Sequence, residues 1–302
     1  FLIQKKVTHI WNMVLNSKNH VRVIHDLNTR SSQFEYSRKI AETFLREYQE
    51  TNDFKTPVGY DFTCNGEKTQ PRRMQKLIAC KVLENKRVGN WSGTGSGKTL
   101  GAILASETIG SSLTVVIGLN NTILDNESGW AGEILNAFPQ SMIYRKVKKN
   151  FNFDKSKSNY LLLNYESFQL PSSRQLVDDL VKLKQVDMII LDEIHFAKKR
   201  DSIESKRRQL LTYLLDECQK TNPDLSVLGM SATPVINSLD ESVSLLEMVT
   251  GQDFSDIETS PKISNAHIIH EQLILHGIRY KPEYDLSLEE RLITSEDNSL
   301  IS

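Results

Sequence analysis

Residues 92 to 99 read Ser92-Gly93-Thr94-Gly95-Ser96-Gly97-Lys98-Thr99, and 94 positions beyond Lys98 an apolar run ends in Asp192-Glu193-Ile194-His195. The first stretch answers a charge problem. Linked phosphates need several donors at once, and a side chain at every position would block their approach. Gly93, Gly95 and Gly97 can take positive φ and present backbone N–H groups, with Thr94 and Ser96 completing the cradle. Lys98 reaches the β and γ oxygens, and the Thr99 hydroxyl is placed to ligate Mg²⁺. The second stretch supplies carboxylates: Asp192 for the magnesium shell, Glu193 to orient or deprotonate an attacking water. Together they imply a site for a nucleoside triphosphate with Mg²⁺. Ser92 stands where the strict pattern has glycine. His195 by itself reads as a structural histidine, but here it can couple the nucleotide site to the segment Ser231-Ala232-Thr233.

These residues need a particular frame. Residues 87 to 91 read as a short strand and 100 to 108 as a helix, which sets the glycine loop where a helix N-terminus points at an anion. Residues 187 to 191 form a buried parallel-strand pattern that delivers the carboxylates to a strand's C-terminal end, where open α/β sheets bind ligands. Further apolar strands at 113–119, 160–164 and 225–230 alternate with helical segments, predicting a parallel sheet with crossover helices. The fold class is therefore α/β. Residues 1–65 carry helical periodicity, as in Val7, Ile10, Trp11, Val14 and Leu15, then Ile40, Phe44 and Leu45, and predict a helical N-terminal extension. A polar stretch from Asp53 to Lys68 marks its end. Residues 66–251 make the nucleotide-binding lobe. Residues 252–302, with a helix expected at 266–276, read as a polar connector.

Composition bounds the reading. The 302 residues are 39% hydrophobic and 25% charged, enough to bury a sizeable core. No apolar run approaches the ~20 residues that span a bilayer, and the first residues lack the layout of a secretory signal, so no membrane and an intracellular setting are expected. The first residue is not Met, which predicts that the chain is part of something longer. Cys64, Cys80 and Cys218 share no metal-ligand spacing and read as free thiols. A net charge of −1 argues against a generally basic coat and leaves local patches open.

A phosphate loop and an acidic strand fit kinases, transporters and GTPases alike, so other segments must decide. Gly229-Met230-Ser231-Ala232-Thr233-Pro234 closes a strand, with Ser231 39 positions after Asp192. This step resembles motif III of superfamily 2 helicases and translocases, which implies a RecA-like lobe and coupling of nucleotide state to nucleic acid through Ser231, Ala232 and Thr233. The segment Gly118-Leu119-Asn120-Asn121-Thr122 followed by Trp130-Ala131-Gly132-Glu133 is similar to motif Ia of the Snf2-type branch with its Trp-x-x-Glu helix. Asn164-Tyr165-Glu166-Ser167-Phe168 resembles the motif Ib region. Phe196-Ala197-Lys198-Lys199 follows the acidic box as a basic step does there, and Gln75 lies where that branch reads adenine. The resemblance implies ATP as the nucleotide, Gln75 as its adenine contact, and backbone-directed nucleic-acid contacts from Asn120, Asn121, Thr122, Asn164, Tyr165 and Ser167.

The box is Asp-Glu-Ile-His where Snf2 proteins usually have Ala third, and Ser-Ala-Thr stands where they usually have Thr-Gly-Thr. Both also occur in RNA helicases and restriction-enzyme motors. Two basic stretches, 144–157 and 198–208, are candidates to neutralise phosphates, the second through Lys198 and Lys199. The reading is an ATP-dependent nucleic-acid motor, with double-stranded DNA as the favoured partner. A second RecA-like lobe of the same parent chain is expected to complete it. An RNA helicase, a restriction-system motor, a non-hydrolysing ATP-binding switch and an interaction module built on the first 65 residues are the alternatives.

Overall fold

The computed structural model describes residues 34–147, 153–183, 186–197, 206–234 and 238–280. The first element, helix α1 (Phe34–Glu50), is followed by a small antiparallel hairpin of β1 (Thr63–Cys64) and β2 (Glu67–Lys68). Helix α2 (Arg73–Asn85) then leads into β3 (Arg87–Asn90) and, across the glycine loop, into α3 (Lys98–Thr108). Next come β4 (Leu113–Gly118), the short α4 (Asn120–Leu124), α5 (Trp130–Ala137), β5 (Met142–Tyr144) and β6 (Asn159–Asn164). Helix α6 (Ser173–Lys182), β7 (Met188–Leu191), α7 (Lys206–Thr221), β8 (Ser226–Met230), α8 (Leu239–Thr250), α9 (Ile263–Leu275) and β9 (Gly277–Ile278) complete the order.

Strands β3 to β9 form one sheet in the order β5-β6-β4-β7-β8-β3-β9, every pairing parallel. A parallel sheet must bury both faces, and its strands show how. In β7, Met188 and Ile190 enter one apolar cluster with residues of α1, α2, α3 and α5, while Ile189 and Leu191 enter the other with residues of α6, α7, α8 and α9. The period of two therefore splits a continuous apolar run between two cores. This is the α/β, RecA-like architecture expected, with helices on both sides.

Short signals set the strand starts. Asp187 lies just before β7, and its carboxylate accepts the Ser112 and Leu113 N–H groups at 2.8 and 3.1 Å, aligning β4 with β7. Helix α8 stops at Gly251, whose φ of 70° supplies a left-handed cap. The Arg87 guanidinium donates to the Val249 and Met248 carbonyls there at 2.7 and 3.3 Å, satisfying acceptors that the last turn leaves open.

The ends of the lobe differ from the expectation. Residues 252–302 were expected as a connector beginning after 251, because that stretch is polar on average. Instead α9 packs on α8 and α1, and β9 pairs with β3 as the edge strand, so the sheet runs through Ile278. A few apolar residues suffice: Ile269, Leu273, Ile274 and Ile278 are all buried. Likewise α1 is not a separate extension, since Ile40, Ala41 and Phe44 belong to the core shared with α2. The periodic residues before 34 and the tail beyond 280 lie outside the described residues.

One buried ion pair clamps both margins. Lys81 of α2 meets Glu47 of α1 at 2.5 Å and donates to the carbonyls of Ile274 and Gly277 at 3.0 and 2.6 Å. Both side chains are almost fully enclosed. Burial pushes the Glu47 carboxyl above its ordinary range, against the pull of Lys81. The three cysteines are free, and among the described residues no helix is long and apolar enough to cross a membrane.

Candidate nucleotide site

The glycine loop sits between the end of β3 and the start of α3. Gly95 and Gly97 have φ of 69° and 79°, so the loop uses the freedom that glycine brings. At Gly97 space also matters: a Cβ would stand 2.4 Å from Gln75 Nε2. The ammonium of Lys98 crosses the loop to the carbonyls of Ser92 and Gly93, both at 3.1 Å. Burial lowers its pKa, while Glu193 and Asp192 act in the opposite sense. Ser96 ties the turn by donating to Gly93 O at 2.7 Å. Thr94 and Gly95 are exposed and Thr99 is half-buried at the first turn of α3.

Ser92, the departure from the strict pattern, has work of its own. Its N–H donates to Asn90 Oδ1 at 3.2 Å and its hydroxyl accepts the Tyr280 N–H at 3.0 Å. Gly93 N–H returns a bond to Tyr280 O at 2.8 Å. A glycine at 92 would lose the hydroxyl that accepts the Tyr280 N–H just beyond β9, which the sequence pattern does not reveal.

Opposite the loop, β7 delivers Asp192 and Glu193. Glu193 has φ of 50°, rare for a residue with a side chain, at the turn that follows β7. Asp192 is enclosed. Its Oδ2 accepts the Trp130 indole N–H at 2.9 Å, and its carbonyl accepts the Tyr165 hydroxyl at 2.9 Å. Burial raises the Asp192 carboxyl pKa and the Trp130 bond opposes that rise. Glu193 moves the other way, its pKa lowered chiefly by the hydrogen bond with His195. His195 Nδ1 lies 3.2 Å from Glu193 Oε2 and 3.0 Å from Ser231 Oγ, so one nitrogen faces both the acidic box and the Ser-Ala-Thr segment.

These donors fit a magnesium nucleotide. Backbone N–H groups at a helix N-terminus and an ammonium suit phosphate, while a hydroxyl and a carboxylate are hard oxygen ligands for Mg²⁺. Gln75 is buried on α2, accepting the Arg72 N–H at 2.8 Å and donating to Gly97 O at 3.3 Å. It therefore braces the phosphate loop from behind.

Of the residues expected to face nucleic acid, Asn120 and Asn121 are exposed, and Thr122, Asn164 and Ser167 are half-buried. The Asn164 amide donates to Asn120 Oδ1, which joins the two segments at the C-terminal edge of the sheet. Tyr165 corrects the expectation. Its side chain is wholly buried and its hydroxyl is spent on Asp192, so it links the segment expected to face the polymer to the acidic box and offers no side-chain contact. Ser231 is buried against His195, Ala232 is half-buried and Thr233 exposed, and the Thr233 N–H donates to Ser231 Oγ at 3.2 Å. Lys198 and Lys199 lie outside the described residues. Trp130 carried a family resemblance but no role. Its bond to Asp192 spans 62 positions, and local spacing carries no sign of it.

Comparison with curated proteins finds no match. Among solved structures, the fold is similar to the SWI2/SNF2 ATPase core of Sulfolobus solfataricus in complex with dsDNA, with a TM-score of 0.51 and 15% identity over 76% of this chain and 47% of that one. It is also matched with the UvsW helicase from bacteriophage T4, with a TM-score of 0.41 and 12% identity over 78% and 66% of the two chains. The chain thus spans about half the length of the first. The family model described as Type III restriction enzyme, res subunit, matches residues 27–236, more than half of the sequence, and the chain belongs to that family.

Proposed function

We propose that this chain is the nucleotide-binding lobe of an ATP-dependent motor that moves on double-stranded DNA. The observation that carries the reading is His195, whose Nδ1 stands between Glu193 Oε2 and Ser231 Oγ and so joins the water-orienting carboxylate to the segment that reports on nucleic acid. Lys98 and the loop N–H groups hold the phosphates. Thr99 and Asp192 would hold Mg²⁺, which when bound would supply charge neutralisation for the transferred phosphoryl group. Glu193, kept ionised by His195, orients the attacking water. Gln75 supports the loop from behind, its amide engaged by the Arg72 N–H and the Gly97 carbonyl. Asn120, Asn121, Thr122, Asn164 and Ser167 grip the backbone of the polymer, with Lys198 and Lys199 adding positive charge. A second RecA-like lobe closes the cleft and supplies the missing cations, as the superfamily resemblance implies.

Family membership favours one refinement: the motor subunit of a restriction system. ATPase rates of the full-length protein with double-stranded DNA, single-stranded DNA or RNA, with Glu193→Gln as control, test the reading. Selective stimulation by duplex DNA supports it, and preference for RNA or single strands replaces it with a helicase. Nucleotide binding without turnover on any polymer leaves a switch. ATP-dependent duplex cleavage by the assembled complex distinguishes the restriction motor from other translocases.

A further inference from the structure

We infer that Trp130 and Tyr165 are positioning residues that tie Asp192, the first by its carboxylate and the second by its main-chain carbonyl, to the two nucleic-acid-facing segments, so that polymer binding alters how this lobe holds Mg²⁺. The inference rests on the proposed function and adds a second route beside His195 and Ser231.

An indole N–H can only donate, so its bond to Asp192 Oδ2 fixes the rotation of that carboxylate. Trp130 is 1% exposed, which leaves the ring no alternative seat. It opens α5, and the first turn of that helix lies directly on the backbone of the preceding loop. A Cβ on Gly129 would stand 2.3 Å from Thr122 O and 2.6 Å from Asp125 O. A Cβ on Gly132 would stand 1.9 Å from Glu127 O. The glycines let the two backbones touch, so a displacement of residues 122–127 is passed to the start of the helix that carries Trp130.

The same aspartate is held from the other side. Tyr165, directly after Asn164, donates its hydroxyl to the Asp192 carbonyl, and Asn164 bonds Asn120 at the head of the loop that leads to Gly129. The contacts therefore close a ring from Asn120 through Trp130 to Asp192, and back through Tyr165 and Asn164. Two exposed asparagines lie at the outer end of that ring, in Asn120 and Asn121, and a metal-holding carboxylate lies at the inner end. A ligand that shifts the outer end changes the free energy of the inner one.

The test uses the full-length protein and the variants Trp130→Phe, which keeps ring packing and removes the N–H, and Tyr165→Phe, which removes one oxygen. Binding of a fluorescent ATP analogue is titrated with Mg²⁺, beside ATPase assays with and without duplex DNA. The expected result for Trp130→Phe is unchanged nucleotide affinity in EDTA and a half-saturating Mg²⁺ raised by about 10-fold or more. Most of the stimulation by DNA should be lost while DNA binding persists. Tyr165→Phe should show the same pattern more weakly. An unchanged Mg²⁺ requirement in Trp130→Phe, even with slower turnover, overturns the inference and leaves Trp130 a packing residue. Should Trp130→Phe lose its fold by circular dichroism, Tyr165→Phe decides alone, and normal Mg²⁺ dependence and stimulation there overturn it. Wild type that shows no Mg²⁺-dependent nucleotide binding defeats the functional reading itself, which the EDTA and Mg²⁺ titrations separate from failure of the variants.

Discussion

The phosphate loop and the acidic box face each other, yet they are held in opposite ways. Most of the loop's own bonds are local: Lys98 to Ser92 and Gly93, Ser96 to Gly93, Ser92 to Asn90. The box is held from afar, by Trp130, Tyr165 and Ser231, at separations of 62, 27 and 36 positions. A loop tied mostly by its own bonds leans on distant segments only at its margins, at Gln75 and Tyr280. A box gripped by three distant segments depends on where each of them stands, which is the arrangement the proposed coupling requires.

Substitutions on the two sides should therefore fail differently. Lys98→Ala has the largest expected effect, removing the cation that meets the β and γ oxygens. Nucleotide binding or turnover should fall by more than about 100-fold, measured by calorimetry and phosphate release. Glu193→Gln should lower turnover by roughly 10²- to 10⁴-fold while ATP affinity holds. If both variants lost ATP affinity equally, the division between the two sides would collapse. Lys81→Met strands Glu47 without its partner and should cost about 3 to 5 kcal/mol of stability in urea unfolding, with little direct effect on nucleotide contacts. Ser231→Ala sharpens the comparison from the box side: basal ATPase should stay within a few-fold, and the increment from DNA should shrink. A Ser231→Ala protein with full stimulation would remove His195 from the coupling route.

The smallest effect concerns pH. Burial, with Arg279 and His267 nearby, pushes the His270 imidazole down to about 3. Its unfolded value is near 6.5, so below that pH the unfolded chain takes up a proton that the native state refuses. Stability attached to this residue is present above pH 6.5 and drains away as pH falls toward 3. His270→Gln should flatten the acid side of a stability-pH curve over that window.

Much of this was legible because it is local. The central strands announced themselves as apolar runs; β4 was expected over 113–119 and spans Leu113–Gly118. The phosphate loop and acidic box are contiguous motifs whose chemistry follows from residue type. What escaped was either short or non-local. β9 has two residues, one a glycine, and gives no periodicity to read. Asp187 was counted as strand because it adjoins Met188, but its carboxylate serves the start of β4 instead. Trp130 and Tyr165 each had a motif around them, but only folding brings an indole or a phenol to Asp192. Tyr165 was misjudged because the resemblance placed its segment near nucleic acid and said nothing about which way the ring turns.

The bond from Tyr280 to Ser92 spans 188 positions, and its consequence concerns synthesis. The edge of the phosphate loop is finished by a segment translated long after it. At the usual pace of elongation, roughly 10 to 40 s separate the two. Through that interval the N–H groups of Gly89, Trp91 and Gly93 await the carbonyls of His276, Ile278 and Tyr280, leaving β3 as an open edge on the nascent chain. The nucleotide loop is thus written early and closed late, and a chain halted before Gly277 would carry the motif without the strand that completes its setting.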